Sequence, residues 1–333
     1  MKKFLIPVVT GLLFGMLIAC TGLTSSASEP GGTMEAAAMV PESTPSILSD
    51  TPSPSVTPTP SATVTLVPPT LTPTPSVTPT PDPDAWQSLP FVPTVNANTR
   101  RIYENGQKLG NDPHAFSILG DCLSLPRNPN NLFVNYGKGP GHYNLGEYTS
   151  LQPVIDWFVD SFKRQSISLG NGFNTAAVLS PAFADAKQCQ KNESPMVCEY
   201  RVHHPSYAII SLGTDDYLFS PETYEKRMRE IVEYTISQGI VPILATKADN
   251  REGDNAFNRI VARLAYEFDV PLWNFWAAVQ SLPNRGLSDN LGHLTWADPN
   301  HFDYTYSMRV AIPVRNLTAL QTLDSLWRGL IGP

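Results

Sequence analysis

The sequence predicts an α/β domain of three layers, α/β/α, built on a mostly parallel sheet. Two observations carry that expectation. Short apolar runs of strand length alternate with longer stretches whose apolar residues recur at helical spacing. Each apolar run also ends in a turn rich in glycine, asparagine or aspartate, the punctuation expected between strand and helix. Alternation of this kind with right-handed crossovers gives a flavodoxin-like sheet.

The domain is expected over residues 95–333, a length that suits one α/β unit with a sizeable core. Its first strand is the run Ala115 to Leu119, which breaks at Gly120 and Asp121. Ser150 to Gln165 carries Leu151, Val154, Ile155, Phe158, Val159 and Phe162 at helical spacing and reads as one amphipathic helix. Ser168 to Asn174 is a turn through Gly170 and Gly172, and Asn174 caps a short helix to Leu179. Ser206 to Leu212 is the best candidate for a central buried strand, and it exits at Gly213-Thr214-Asp215-Asp216. Ser220 caps, and Pro221 opens, a helix to Gln238 that Gly239 stops. Ile240 to Thr246 is a further buried strand, Gly253 to Phe268 a helix, and Val270 to Trp276 a strand. The tail Tyr304 to Leu330 reads as helix with a break at Pro313.

The residues before this domain have another character. Lys2 and Lys3 precede an apolar run from Phe4 to Ile18, the layout of a secretory signal. The ending Leu17-Ile18-Ala19-Cys20 resembles a bacterial lipobox, which implies cleavage before Cys20 and lipid on its sulfur. Residues 1–20 are therefore expected as a lipoprotein signal peptide, and the mature chain as extracytoplasmic and anchored to a bacterial membrane through lipid. Between Pro41 and Pro93 lie 15 of the 32 prolines, interleaved with Thr and Ser. Residues 21–94 are accordingly expected as a disordered, polyproline-rich tether. The formal charge of −7, with no run rich in Lys or Arg, argues against a nucleic-acid partner.

A buried strand that ends in Gly-Asp and turns into a loop sets the next side chain at the carboxyl edge of the sheet, where open α/β folds place ligands. Cys122 is that side chain. With Cys20 consumed by lipid, three cysteines remain. Cys189 and Cys198 flank a polar loop that a disulfide can close, which leaves Cys122 as a thiol; a bridge from Cys122 to one of the other two is the alternative.

Gly120-Asp121-Cys122 resembles block I of the SGNH/GDSL hydrolases, with cysteine where the family has its nucleophilic serine. The turn around Gly170 and Gly172 occupies the place of block II, and Gly213-Thr214-Asp215-Asp216 is similar to block III. The resemblance implies an oxyanion hole formed by the backbone N–H of Cys122, Gly172 and the residue at position 215. Asp215 stands where the family has asparagine, and an ionised carboxylate cannot donate. Two stretches compete for the last block. Asp298-Pro299-Asn300-His301 has the literal Asp-x-x-His spacing, whereas Gly286 to Thr295, with Asn290 in the aspartate slot, Asp289 just before it and then His293-Leu294-Thr295, resembles the family's surroundings better. His293 with Asp289 is preferred, and His301 with Asp298 is the alternative. Either histidine must reach Cys122 to act as base. A thiol beside a histidine ionises far more readily than a serine hydroxyl.

The remaining candidates have plainer readings beside the chemical ones. Asp121 holds its loop through backbone hydrogen bonds, and Ser124 caps a helix. Lys247, Asp249 and Asn250 follow a strand at the functional edge, so they are candidates to line a pocket. Asp298, His301 and Asp303 offer hard ligands but one imidazole, so they read as a loop, with neither metal nor cofactor required. Trp273, Phe275 and Trp276 read as core in preference to a sugar-stacking surface, and His142-Tyr143 as a border of the cleft. The expected function is an ester hydrolase or acyl transferase acting on a small-molecule or glycan ester. The alternative is a lipoprotein of the same fold that binds glycan or a protein partner without catalysis.

Overall fold

A computed structural model describes residues 82–125, 132–133 and 135–332. The expected signal peptide, Cys20 and the tether up to residue 81 lie outside the described residues. Four strands form one sheet: β1 (Asp112–Gly120), β2 (Pro205–Ser211), β3 (Val241–Ala245) and β4 (Leu272–Trp273). Their order is β1-β2-β3-β4, and every pairing is parallel. Phe116 pairs with Tyr207 and Gly120 with Ser211, so the two longest strands end together.

The helices are α1 (Ala97–Leu109), α2 (Gln152–Trp157), α3 (Val159–Phe162), α4 (Thr175–Leu179), α5 (Pro195–His203), α6 (Pro221–Ser237), α7 (Ala256–Glu267), α8 (Phe275–Val279) and α9 (Ala311–Leu330). When consecutive strands are neighbours, crossovers of one hand put their helices on one face. The other face is covered by α1 and α9 and by the segment that joins α2 to α3. Tyr207 shows that second face, its ring 5.8 Å from Tyr103 of α1 and 5.5 Å from Phe158, while Trp273 Nε1 donates to Thr318 of α9 at 3.1 Å. On the opposite face Ser117 donates to Glu199 of α5 at 2.5 Å. There Tyr200 and Thr235 join α5 to α6 at 2.9 Å, and the stacked rings of Tyr224 and Phe257 join α6 to α7. Strand alternation sends Phe116 and Tyr207 to one layer and Ser117 to the other. The three-layer α/β/α expectation holds.

Four local expectations are corrected. The helix expected over 150–165 kinks at Phe158, whose φ of −100° and ψ of 20° separate α2 from α3; its buried ring is seated between Phe116 and Tyr207. The strand expected over 270–276 is two residues long, because the side chain of the buried Asn274 accepts from Ala277 N–H and starts α8. α9 runs through Pro313 without a break, since Pro313 is its third residue and an N–H there has no partner within the helix. Residues 82–94, assigned to the tether, instead pack on the domain: Trp86 is buried, and Asn274 Nδ2 donates to Trp86 O at 2.8 Å and to Leu89 O at 3.2 Å. Among the described residues no helix is long and apolar enough to cross a membrane.

Candidate active site

In a parallel sheet all strands end at one edge, so the turns after β1, β2 and β3 converge there. The first turn is tight for a visible reason. A Cβ on Gly120 would lie 3.0 Å from Ser124 Oγ and 3.2 Å from Ser211 O, so a larger residue would crowd the exit of β1 beside β2. Asp121 then accepts the N–H of Leu123 at 2.8 Å, the loop-holding role expected of it. Cys122 opens the single helical turn Cys122–Ser124, is buried and takes no part in a disulfide. The disulfide joins Cys189 to Cys198. Ser124 caps nothing; its hydroxyl is buried and accepts from Arg315.

The second turn is bound to the first. Gly120 N–H donates to Ser168 O at 3.3 Å and Gly170 N–H to Gly120 O at 3.4 Å. Gly172 has φ +68° with open space where a Cβ would sit. Asn174 caps α4 through Ala177 N–H, and its amide lies 3.5 Å from Asp215 O. Asp216, fully buried, accepts from the N–H of Thr175 at 3.0 Å and its hydroxyl at 2.5 Å. The three stretches that resemble blocks I, II and III are thus held together by direct hydrogen bonds.

His293 arrives on a small hairpin in which Ser288 N–H donates to His293 O at 2.9 Å. Its Nδ1 is 2.5 Å from Asp289 Oδ2. Gly292, at φ +92°, presses this hairpin on the sheet edge: a Cβ there would lie 2.9 Å from Thr214 Cγ2 and 3.2 Å from Asp249 Cγ. A narrow cavity of about 20 Å³ results, walled by Asp121 and Leu123 on one side and Gly292 and Leu294 on the other. The flanking residues of Cys122 and of His293 therefore share one cavity, with room for one water-sized group. Lys247 and Asp249 also line it, as expected, whereas Asn250 is exposed and accepts from Asn255 N–H.

Cys122, Asp289, His293, Asp298 and His301 are none of them among the residues that line this cavity; for Cys122 and His293 the adjacent residues do so. His301 pairs through its backbone with Asn144, stacks on Tyr304, and stands 3.9 Å from Asp298 and 3.7 Å from Asp303. Phe275 lines the cavity and Trp273 is core, while Trp276 packs edge-on against Trp86. His142 is exposed, and Tyr143 is buried against Tyr136.

The electrostatics of the edge are dominated by buried carboxyls. Burial, reinforced by Asp215, pushes the Asp121 carboxyl up to about 7, against the pull of Arg315 and the Leu123 N–H. Burial also raises Asp215, opposed by Arg251 and His293 and aided by Asp249; its Oδ2 is buried with no hydrogen-bond partner. Asp289 behaves oppositely. Burial pushes it up, but the hydrogen bonds from the His293 ring and from two backbone N–H groups outweigh that and hold it low. Lys247 neutralises the third turn, donating to Asp249 at 2.7 Å and Glu252 at 2.6 Å.

One residue at this edge was not expected from the sequence. Arg315 of α9 is buried beneath the first turn, donating to Leu123 O at 2.7 Å and to Ser124 Oγ and Ser211 Oγ at 3.0 Å each. A charged residue inside an otherwise apolar helical stretch was the available signal.

No family model matches the chain. Among curated proteins it is similar to thioesterase 1/protease 1/lysophospholipase L1 of Escherichia coli strain K12, with 30% identity over 94 residues, 26% of this chain and 45% of the relative. The chain thus spans about half the length of the curated relatives it matches. Among solved structures, the psychrotrophic esterase EstA from Pseudoalteromonas sp. is similar at 15% identity and a TM-score of 0.35, over 65% of this chain and 97% of that one. AlinE4, an SGNH-hydrolase family esterase, gives 21% identity and a TM-score of 0.31, over 56% of this chain and 87% of that one.

Proposed function

We propose that this chain is an ester hydrolase or acyl transferase of the SGNH/GDSL type, with Cys122 as nucleophile and His293, oriented by Asp289, as base. The observation that supports it most is the shared cavity, walled by the residues on both sides of Cys122 and of His293. With Nδ1–H donating to Asp289, Nε2 is the basic nitrogen. It takes the Cys122 proton, the sulfur attacks the ester carbonyl carbon, and the carbonyl electron pair moves to oxygen. The backbone N–H groups of Cys122 and Gly172, and the Asp215 carboxyl in its neutral form, face that oxyanion in this reading. The C–O bond then breaks, and the alcohol leaves with the proton from His293. Water, deprotonated by His293, releases the acid and restores the thiol; a second alcohol in place of water makes the reaction an acyl transfer.

The narrowness of the cavity favours a short acyl group. Trp296, Tyr304 and Tyr306 are exposed on the segment that follows His293, as faces on which sugar rings stack. The substrate proposed is accordingly a short acyl ester on carbohydrate or envelope polymer, met at the surface of a bacterium whose membrane holds the lipid on Cys20. A panel of acetyl, butyryl and octanoyl esters tests this, with turnover expected for acetyl, falling with chain length and abolished by Cys122→Ala. A second reading, a glycan or protein binder without catalysis, is favoured by Asp215 in a donor's place. It is selected if the panel shows no turnover while acetylated oligosaccharide still binds.

A further inference from the structure

Arg315 is a buried cation whose hydrogen bonds end on neutral oxygens. Its partners are the Leu123 carbonyl and the hydroxyls of Ser124 and Ser211, and among the described residues it forms no direct ion pair with a carboxylate. Its guanidinium also stands 5.7 Å from the Trp273 ring and 5.9 Å from that of Phe275. Burying a charge without a counter-charge is costly. The turn it supports offers two groups that become anionic, the Asp121 carboxyl and the Cys122 thiol. Two of the three bonds go to Leu123 and Ser124, the residues that complete the same helical turn as Cys122, so the charge is fixed with respect to the sulfur.

We propose that Arg315 is a positioning residue whose fixed positive charge, set under the Cys122–Ser124 turn, holds Cys122 in its thiolate form near neutral pH. The proposal rests on the reading of Cys122 as the nucleophile. Burial lowers Arg315 to about 10, with Asp121 and Cys122 pulling it up, so it stays cationic at neutral pH. The other charges at this edge come from every neighbouring element: Asp121 on the same turn, Asp215 after β2, Lys247 and Asp249 after β3, Arg251 beyond them, and His293 on its hairpin. Lys247 is spent on Asp249 and Glu252, and Arg251 faces Asp215 at 3.9 Å. Among the described residues, Arg315 is then a cation fixed against the first turn. The thiol proton then resides on His293 Nε2 before attack: the guanidinium lowers the cost of forming the sulfur anion, and the resulting imidazolium protonates the departing alcohol.

The test is the Cys122 thiol titration, followed in the full chain by the ¹³Cβ resonance of labelled cysteine and assigned with Cys122→Ser. The expected midpoint lies below the ordinary thiol value of about 8.5. Arg315→Met should raise it by about one unit or more, a tenfold loss of thiolate at neutral pH, and Arg315→Lys should keep it low. A wild-type midpoint at or above the ordinary value overturns the proposal without any variant, as does a folded Arg315→Met protein with an unchanged midpoint. A depressed, Arg315-dependent midpoint in a protein that turns over no ester upholds this inference and removes the hydrolase reading. Ester turnover through a thiol that is not depressed does the reverse.

Discussion

His293 Nδ1 lies 2.5 Å from Asp289 Oδ2, and the other oxygen of the same carboxylate accepts the backbone N–H of His293 at 3.2 Å and of Leu291 at 2.8 Å. One carboxylate therefore fixes both the loop and the ring that the loop carries. An imidazole held in this way presents a single tautomer and a single direction for Nε2.

The consequence for activity is an asymmetry between the two histidine stretches. Asp289→Asn is expected to lower kcat/KM for an acetyl ester on the order of 10³-fold, and His293→Ala by at least as much. His301→Ala and Asp298→Asn, with no neighbouring residue in the cavity wall, should stay within about threefold, the scale of an indirect effect. Steady-state kinetics of the four variants decide it, and the reverse ranking would assign the base to His301.

Asp215 gives a pH dependence with a definite sign. Its carboxyl is raised above the usual range by burial; in the proposed mechanism it can donate to the oxyanion while neutral and repels it once ionised. Activity should fall as the pH rises through its titration. Asp215→Asn, an amide that donates at every pH, should flatten this limb and raise kcat by about tenfold or more on its alkaline side. A variant less active than wild type across the whole profile would contradict the account.

The Asp121 carboxyl makes a stability prediction. Its folded value of about 7 stands above the unfolded value near 4. The folded state therefore binds this proton more tightly, and the associated stability is complete below about pH 4 and lost as the pH rises through 7. Asp121→Asn retains an oxygen for the Leu123 N–H and carries no titrating group. Between pH 4 and pH 8 it should gain on the order of 3 kcal/mol relative to wild type. Urea unfolding at both pH values measures it, and parallel losses in the two proteins would refute the assignment.

The bond between Cys189 and Cys198 closes a short loop, with a separation of 9 residues. In the chain-entropy account such a closure contributes about 2–3 kcal/mol. Replacing both cysteines by serine should lower the unfolding free energy by that amount and leave ester turnover unchanged, because neither cysteine belongs to the turns after β1, β2 and β3. Activity that disappears in the folded double variant would place this loop in the site.

Much of the edge was legible because its signals are local. An apolar run that stops at Gly-Asp marks the exit of β1, and the same logic found β2 and its turn. Cysteine counting found the disulfide. What escaped depends on distant contacts or on where an element begins. Pro313 reads as a helix breaker until the helix is known to start at Ala311, where a proline in the first turn costs no hydrogen bond. The kink at Phe158 follows from ring packing, which a helical period cannot show. Arg315 meets Leu123 across 192 positions of sequence. Trp86 and Phe91, aromatics that end the proline-rich run, were a readable sign that the folded part begins before residue 95. The choice between two histidines was open in the sequence, and the tertiary arrangement puts the neighbours of His293 at the cavity.

The most direct test of the account is to look for acyl transfer to Cys122. Mixing the protein with an acetyl ester, quenching in acid and mapping peptides by mass spectrometry should find one acetyl group on the peptide that contains Cys122, removable by hydroxylamine and absent in Cys122→Ala. Undiminished ester turnover by Cys122→Ala, or an acetyl group on another side chain, would contradict it.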